Sequence, residues 1–240
     1  MADIPYNPNF IHHNESIALS AMRELVFGLE DGMVSTMGSI TGIATATQSS
    51  FLIILSGSVI IAVESISMAV GSYLSSKSEH ALEERKLFEE RQEISQNLTE
   101  ETKEMQELFI EDGWPDELAG RMALVAAQDK ELMLKEMAYR ELKICVDKSR
   151  SPVRNGAVML VAYIIGGFVP LFPYFLFNNI GQGVIVSIAG TLAGLFALGG
   201  FTARYSNRSW YSAGFEMLGL AGLAAFVGYG AGQIIDKWWK

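Results

Sequence analysis

The chain has 240 residues, of which 50% are apolar and only 19% are charged, and its mean hydropathy is +0.23. Soluble domains carry about 25% charged residues, so this composition excludes a single ordinary soluble domain. The net charge of −9 at pH 7 argues against nucleic-acid binding, which needs a basic surface. The single cysteine, Cys145, excludes a disulfide framework and a cysteine-based zinc site.

The charged residues are concentrated in one part of the chain. Between Lys77 and Arg154 there are 13 Lys or Arg and 19 Asp or Glu residues, whereas the rest is nearly neutral. Outside this acidic insert lie five apolar stretches of membrane-spanning length: Leu25–Ala46, Phe51–Leu74, Gly156–Phe177, Val184–Thr202 and Ala213–Ile235. The sequence therefore predicts an all-α membrane protein with five transmembrane helices and a helical insert between the second and third.

Lysine and arginine residues predict the orientation of these helices. With the amino terminus in the cytoplasm, 16 of these residues face the cytoplasm and only Lys237 and Lys240 face away. The first 16 residues contain no Lys or Arg, which argues against a cleaved signal peptide. We expect three regions: an amphipathic segment with the first two helices in residues 1–74, a cytoplasmic acidic metal-binding domain in 75–154, and the last three helices in 155–240.

Two carboxylates lie inside the predicted spans. Asp31 is about one and a half turns into the first span and Glu64 is near the middle of the second, whereas Glu24 and Glu216 are near cytoplasmic ends and are expected to reach water. A charged residue at this depth costs about 2.5–3.5 kcal/mol. Such a carboxylate takes up a proton or binds a cation, which predicts a cation-coupled pathway. The alternative is a protonated carboxyl that satisfies a neighbouring backbone group.

A methionine follows Glu64 by one helical turn. Met68 and Glu64 together offer a sulfur and an oxygen ligand, a combination that suits a first-row divalent metal better than Ca²⁺ or Mg²⁺. Taken alone, Met68 is more often a packing residue. Glycine pairs spaced by four, such as Gly28/Gly32 and Gly38/Gly42, allow helices to approach closely in lipid.

The insert is predicted to be helical, with two breaks. Residues Ser75–Glu111 continue the second span, with a break near Asn97–Thr99 and Thr99 as a candidate N-cap. The second break is the segment Asp112–Pro115, and Asp116–Asp147 is again predicted to be helical.

Glutamates in the insert recur at helical spacing. If the helix were unbroken, four of them would form one stripe about 80° wide: Glu90, Glu93, Glu101 and Glu104. Met137 and Glu141 form a further pair one turn apart. These residues predict a site for several divalent metal ions. On spacing alone, a solvated acidic face is the competing interpretation.

Three segments resemble the vacuolar iron transporter family. They are FGLEDGMVSTMGSITGIA (Phe27–Ala44), SISMAVGSYLSSKSE (Ser65–Glu79) and GGFVPLFPYFLF (Gly166–Phe177), in order and separated by a Glu-rich insert. The resemblance implies a five-helix homodimer that exports Fe²⁺, and often Mn²⁺, from the cytosol in exchange for protons. It also implies that metal passes between the subunits along the first two helices.

The resemblance assigns roles to individual residues. Asp31 and Met68 match the family's translocation residues. The residues of the insert that match its metal-gathering positions are Glu90, Glu93, Glu101, Glu104, Met137 and Glu141. Many eukaryotic members carry a glutamate eight residues before the methionine, where this chain has Ile60, and Glu64 lies one turn further along.

We therefore expect a proton-coupled metal transporter and not an enzyme, with no prosthetic group. The alternative is a membrane-anchored metal-binding or sensing protein without transport, which has no need for carboxylates inside the bilayer. The membrane would be the plasma membrane in a prokaryote or the vacuolar membrane in a eukaryote.

Overall fold

A computed structural model describes residues 17–47, 49–144, 151–206, 208–219 and 221–222. The described residues lie in helices and short connections, and none of them forms a strand. The helices are α1 (Ile17–Ala46), α2 (Ser50–Gln96), α3 (Leu98–Glu111), α4 (Asp116–Ala126), α5 (Lys130–Arg140), α6 (Pro152–Leu171), α7 (Pro173–Leu176) and α8 (Ile180–Ser206). Residues 210–219 and 221–222 are also helical. The prediction of an all-helical fold is confirmed.

Among the described residues, α2, α6 and α8 are long and apolar enough to cross a membrane. The 30-residue helix α1 carries Arg23, Glu24, Glu30 and Asp31, and these charges lower its hydropathy. The second half of the predicted fifth span lies outside the described residues, as do Lys237 and Lys240. A helical membrane protein is therefore confirmed, and the count of five spans stays a prediction.

The chain divides into two compact units. Residues up to Tyr73 together with those from Val153 onward form what we call the span-bearing unit, and Leu74–Pro152 form the insert unit. In the span-bearing unit, one apolar cluster joins α1, α2, α6 and α7 through Ile40, Ile53, Ile61, Leu171 and Tyr174. A second cluster joins α1 to α8 and the helical residues beyond it, through Met33, Leu195, Leu198 and Ala221.

The backbones of α1 and α6 are in close contact at glycines. A Cβ atom on Gly32 would lie 2.5 Å from the carbonyl oxygen of Tyr163, and one on Gly166 would overlap the carbonyl oxygen of Leu29. Only a residue without a side chain fits at these positions, so the two helices approach more closely than larger residues would allow. The contact holds the Tyr163 backbone against α1.

The predicted third span is interrupted near its end. The prediction of one segment, Gly156–Phe177, is wrong in this respect, because α6 ends at Leu171 and the short α7 begins at Pro173. Proline has no amide hydrogen and clashes with the preceding turn, so it ends α6 at this point. The carbonyl oxygen of Pro170 instead accepts a 2.7 Å hydrogen bond from the Ser187 hydroxyl of α8.

The insert unit has more helices than the sequence predicted. The break near Asn97 is present, but the N-cap residue is Asn97 and not Thr99, since α3 already begins at Leu98. The predicted helix Asp116–Asp147 is two helices, α4 and α5, and the Asp129 side chain caps α5 by accepting bonds from two backbone amides. Asp129 favours this N-cap position over a helix interior because its carboxylate satisfies amides that have no helical partner.

The second predicted break is confirmed, and the helices on either side of it share one apolar core. Gly113 adopts a φ of 96°, a conformation that suits glycine. The core of the insert unit includes Ile94, Met105, Phe109, Ala119, Ala123, Met133 and Met137. Arg140 covers one side: its guanidinium group lies 4.5 Å from the centre of the Phe109 ring and pairs with Asp112 and Glu136.

Replacing Gly32 by alanine should destabilise the span-bearing unit by about 1–3 kcal/mol, because the methyl group would meet the Tyr163 carbonyl and force α1 and α6 apart. Gly38 on the same helix is the matched control, since within the described chain no heavy atom lies within 4 Å of its Cβ position. Thermal unfolding of the full-length protein in detergent compares the two variants. Equal melting temperatures for Gly32→Ala and Gly38→Ala would contradict the close contact.

Candidate metal sites

Three helices of the span-bearing unit meet at one carboxylate. Glu64 of α2 accepts hydrogen bonds at Oε2 from the Tyr163 hydroxyl of α6 and, at 3.2 Å, from the Ser35 hydroxyl of α1. The two hydroxyl oxygens lie 2.6 Å apart, and Ser35 also bonds to the carbonyl oxygen of Asp31 at 2.7 Å. We call Asp31, Ser35, Glu64 and Tyr163 the intramembrane cluster.

Both predicted span carboxylates belong to this cluster. Asp31 and Glu64 are each partly buried, and they are close enough to repel one another electrostatically. The carboxylate of Glu30, the preceding residue on α1, also interacts electrostatically with Asp31 and adds negative charge near it. Met68 is also partly buried and lies one turn beyond Glu64 on α2. Concentrated negative charge of this kind attracts a cation.

The two carboxylates predicted to reach water behave differently from one another. Glu216 is exposed and pairs with Arg208 at 2.7 Å. Glu24 is 2% exposed, so the expectation that it reaches water is wrong. One of its oxygens accepts a bond from the Arg23 guanidinium at 2.9 Å, which compensates its charge within the protein. The other, Oε2, is buried and has no hydrogen-bond partner among the described residues.

Glutamates of three helices gather in the insert unit. The condition for a single stripe, an unbroken helix, is not met, because α2 ends at Gln96 and the four residues lie on two helices. They nevertheless come together through folding, and Glu141, the C-cap of α5, joins them. We call this group the glutamate cluster: Glu90, Glu93, Glu101, Glu104 and Glu141. A solvated acidic face does not describe it fully, since Glu90 and Glu101 are only 3% and 6% exposed.

The glutamates of this cluster perturb one another's pKa values. Burial, and then the charges of Glu141 and Glu101, raises the pKa of Glu90 from 4.5 to about 8. Burial and the charge of Glu104 likewise raise the pKa of Glu101. One carboxyl oxygen of Glu90 and one of Glu101 are buried, and within the described residues neither has a hydrogen-bond partner. Protons and cations therefore compete for these oxygens.

The sulfur residue predicted to join these glutamates, Met137, belongs to the apolar core of the insert unit, and its role as a metal ligand stays a prediction. Its side chain is completely buried in the apolar core beside Met105 and Met133. In the described part of the chain, no three His, Cys, Asp or Glu side chains already stand in an arrangement that would hold a metal ion. Both clusters therefore supply acidic oxygens, which would have to rearrange around a bound cation.

Two members of the intramembrane cluster were not identified from the sequence. Ser35 follows Asp31 by four residues, so its presence on the same helix face was recoverable from spacing. Tyr163 is a polar aromatic residue within a predicted span, but nothing in its local sequence indicates that it contacts Glu64, 99 positions away.

A helical membrane protein with carboxylates gathered inside its span-bearing unit belongs to the class of ion transport proteins. The sequence model of the VIT family matches residues 22–233, so the chain belongs to that family. The resemblance seen in the sequence is confirmed. Members of the family are transporters and not enzymes, as predicted.

Curated relatives match over nearly the whole chain. Vacuolar iron transporter 1 of Tulipa gesneriana is 26% identical over 236 residues, which cover 97% of this chain and 96% of the relative. Vacuolar iron transporter 1 of Arabidopsis thaliana is 24% identical, covering 94% and 91%. Protein CCC1 of Saccharomyces cerevisiae is 25% identical, covering 88% of this chain and 68% of the yeast protein.

The stability of the insert unit should fall as the pH rises from about 4.5 to about 8, because the folded state holds a proton on Glu90 that the unfolded state has already released. Glu90→Gln should flatten this dependence. Hydrogen exchange of α3 and α5 amides in the full-length protein, compared at pH 5 and pH 8 after correction for intrinsic rates, measures it. Glu89→Gln is the control, since Glu89 is exposed and pairs with Arg85. A slope unchanged by Glu90→Gln would contradict the assignment.

Proposed function

We propose that the chain transports Fe²⁺, and also Mn²⁺, out of the cytosol in exchange for protons. The observation that carries the proposal is the meeting of Asp31 and Glu64 inside the span-bearing unit. Carboxylates within spans are costly, and their usual use is to carry ions or protons. The relatives' names point to iron as the metal.

We further propose that Asp31, Glu64 and Met68 line the passage. An oxygen-rich set with one thioether suits borderline divalent metals, and no covalent chemistry is needed. The protons would travel on the same carboxylates, since a carboxylate that releases a metal ion inside a low-dielectric region gains from protonation.

The glutamate cluster, together with Met137, which lies one helical turn before Glu141, would gather metal ions on the cytoplasmic side. Five clustered glutamates, with ten carboxyl oxygens between them, raise the local concentration of divalent cations around them. The raised pKa of Glu90 supports this role, because a bound cation would relieve the same repulsion that a proton now relieves.

The proposal includes five spans, a cytoplasmic amino terminus and insert, and a homodimer. Positive residues concentrate on the side of the insert. An odd number of spans cannot form two equal inverted halves, whereas two copies around an axis along the membrane normal can enclose a central path.

A membrane-anchored metal-binding or sensing protein is the second candidate. The glutamate cluster favours it, since that cluster alone would bind metal without transport. The two functions differ in their need for the intramembrane cluster, so flux measurements on variants of that cluster discriminate between them.

Asp31→Ala should abolish Mn²⁺ and Fe²⁺ flux into proteoliposomes, because the passage would lose one of its two carboxylates. Flux is followed with and without a pH gradient, and a gradient-dependent wild-type rate supports proton coupling. Glu216→Ala is the matched control, because it removes an exposed carboxylate that pairs with Arg208. If Asp31→Ala transports at the wild-type rate, the passage does not run through Asp31. If the folded wild-type protein binds metal and moves none, the sensing function is preferred.

Changing Glu90, Glu93, Glu101 and Glu104 together to glutamine should slow flux strongly at low metal concentration and little at saturating metal, because the cluster concentrates ions and does not form the passage. The control changes four exposed glutamates that contribute to none of the cluster's shifted pKa values: Glu84, Glu100, Glu111 and Glu117. Both variants lose four carboxyl groups. An equal effect in the control would show that only the overall acidity matters.

A further inference from the structure

The two oxygens of Glu64 have different surroundings. Oε2 accepts a hydrogen bond from Tyr163 and lies within bonding distance of the single Ser35 proton, which it shares with the carbonyl oxygen of Asp31. Within the described part of the chain, Oε1 accepts no hydrogen bond. One oxygen is therefore occupied by hydroxyl groups, and the other is left for a further partner.

The hydroxyl groups are held firmly in place. Tyr163 is completely buried, and its backbone carbonyl lies against Gly32 of α1, so neither the ring nor its helix has room to move away. Ser35 is fixed by its bond to the Asp31 carbonyl one turn earlier on the same helix. Hydrogen bonds to an ionised carboxylate are about twice as strong as neutral ones, so a passing ion does not easily displace them.

This arrangement restricts how Glu64 can bind a metal. A carboxylate with Oε2 engaged presents only Oε1 and acts as a one-oxygen ligand. Ca²⁺ takes 6–8 oxygen ligands and commonly uses both oxygens of a carboxylate. First-row transition metals accept fewer ligands and tolerate a sulfur such as that of Met68. The hydroxyl groups thus penalise Ca²⁺ more than Mn²⁺ or Fe²⁺.

We propose that Tyr163, assisted by Ser35, is a specificity-determining residue: by engaging Oε2 of Glu64 it makes the intramembrane cluster discriminate against Ca²⁺. Tyr163 is a positioning residue, since it acts through Glu64 and does not itself bind the metal. The proposal rests on the transport function proposed above and adds the basis of its selectivity. The carboxylate of Asp31 interacts electrostatically with Glu64, and the backbone carbonyl of Asp31 accepts a hydrogen bond from Ser35.

The test is Tyr163→Phe, which removes one oxygen atom and keeps the ring that fills the space. In proteoliposomes containing the full-length protein, Mn²⁺ flux is measured against increasing Ca²⁺. The Ca²⁺ concentration that halves the flux should fall about tenfold in the variant, the size expected for losing a hydrogen bond to a charged group. Equilibrium Mn²⁺ binding in detergent, read by electron paramagnetic resonance with Ca²⁺ as competitor, should show the same shift without any transport.

Two controls separate specificity from general damage. Tyr174→Phe removes another buried tyrosine hydroxyl of the span-bearing unit, one that within the described residues has no hydrogen-bond partner, and should leave Ca²⁺ competition unchanged. Ser35→Ala should lower the Ca²⁺ concentration that halves Mn²⁺ flux, as Tyr163→Phe does. Ser35→Thr keeps the hydroxyl and should retain the wild-type value. The serine pair also tests the proposal if Tyr163→Phe does not fold.

The selectivity proposal and the transport proposal can fail separately. If Tyr163→Phe lowers Mn²⁺ flux but leaves Ca²⁺ competition at the wild-type value, the role is structural and the inference is overturned. An equal shift in Tyr174→Phe also overturns it. If the wild-type protein moves no metal, the transport proposal fails by itself, and the binding competition still decides whether Tyr163 sets selectivity at the cluster.

Discussion

A carboxylate inside a membrane protein must find its partners within the protein, because lipid offers neither water nor a counter-ion. Glu64 meets this constraint with hydroxyl groups of Ser35 and Tyr163, which belong to two other helices. The need to satisfy one charge therefore ties α1, α2 and α6 together. The Ser35 hydroxyl lies within bonding distance of both the Asp31 carbonyl oxygen and Glu64, so packing around it brings the two acidic residues close and concentrates negative charge there.

The hydrogen bonds of the intramembrane cluster depend on how closely the helices approach. At Gly32 and Gly166 the backbones of α1 and α6 touch, and this contact sets the distance at which the Tyr163 hydroxyl reaches α2. A larger residue at either glycine would separate the helices and lengthen the bonds to Glu64. Packing of small residues thus determines an electrostatic property, the number of carboxylate oxygens that remain open.

The insert unit also buries carboxyl groups, but there the neighbours are other glutamates. Glu90 and Glu101 are buried beside other glutamates, and burial together with the neighbouring charges raises the pKa of Glu90 to about 8, so that protonation of Glu90 reduces the repulsion. A divalent cation would reduce it further, since it carries two charges to the same oxygens. The apolar core that includes Met105 and Met137 holds the helices together against this repulsion. A metal ion bound here would therefore also stabilise the fold of this unit.

The sequence by itself determined the helical membrane class, the acidic insert, the family and the carboxylates Asp31 and Glu64, because hydropathy, charge distribution and motif are properties of contiguous residues. Only the tertiary structure decided that Tyr163 and Ser35 engage Glu64, that Glu24 is buried, and that the four glutamates converge from two helices with Glu141 from a third. Helical spacing relates residues within about two turns of each other. Contacts between residues about 100 positions apart depend on which helices pack together and at which glycines, and that is a property of the folded chain alone.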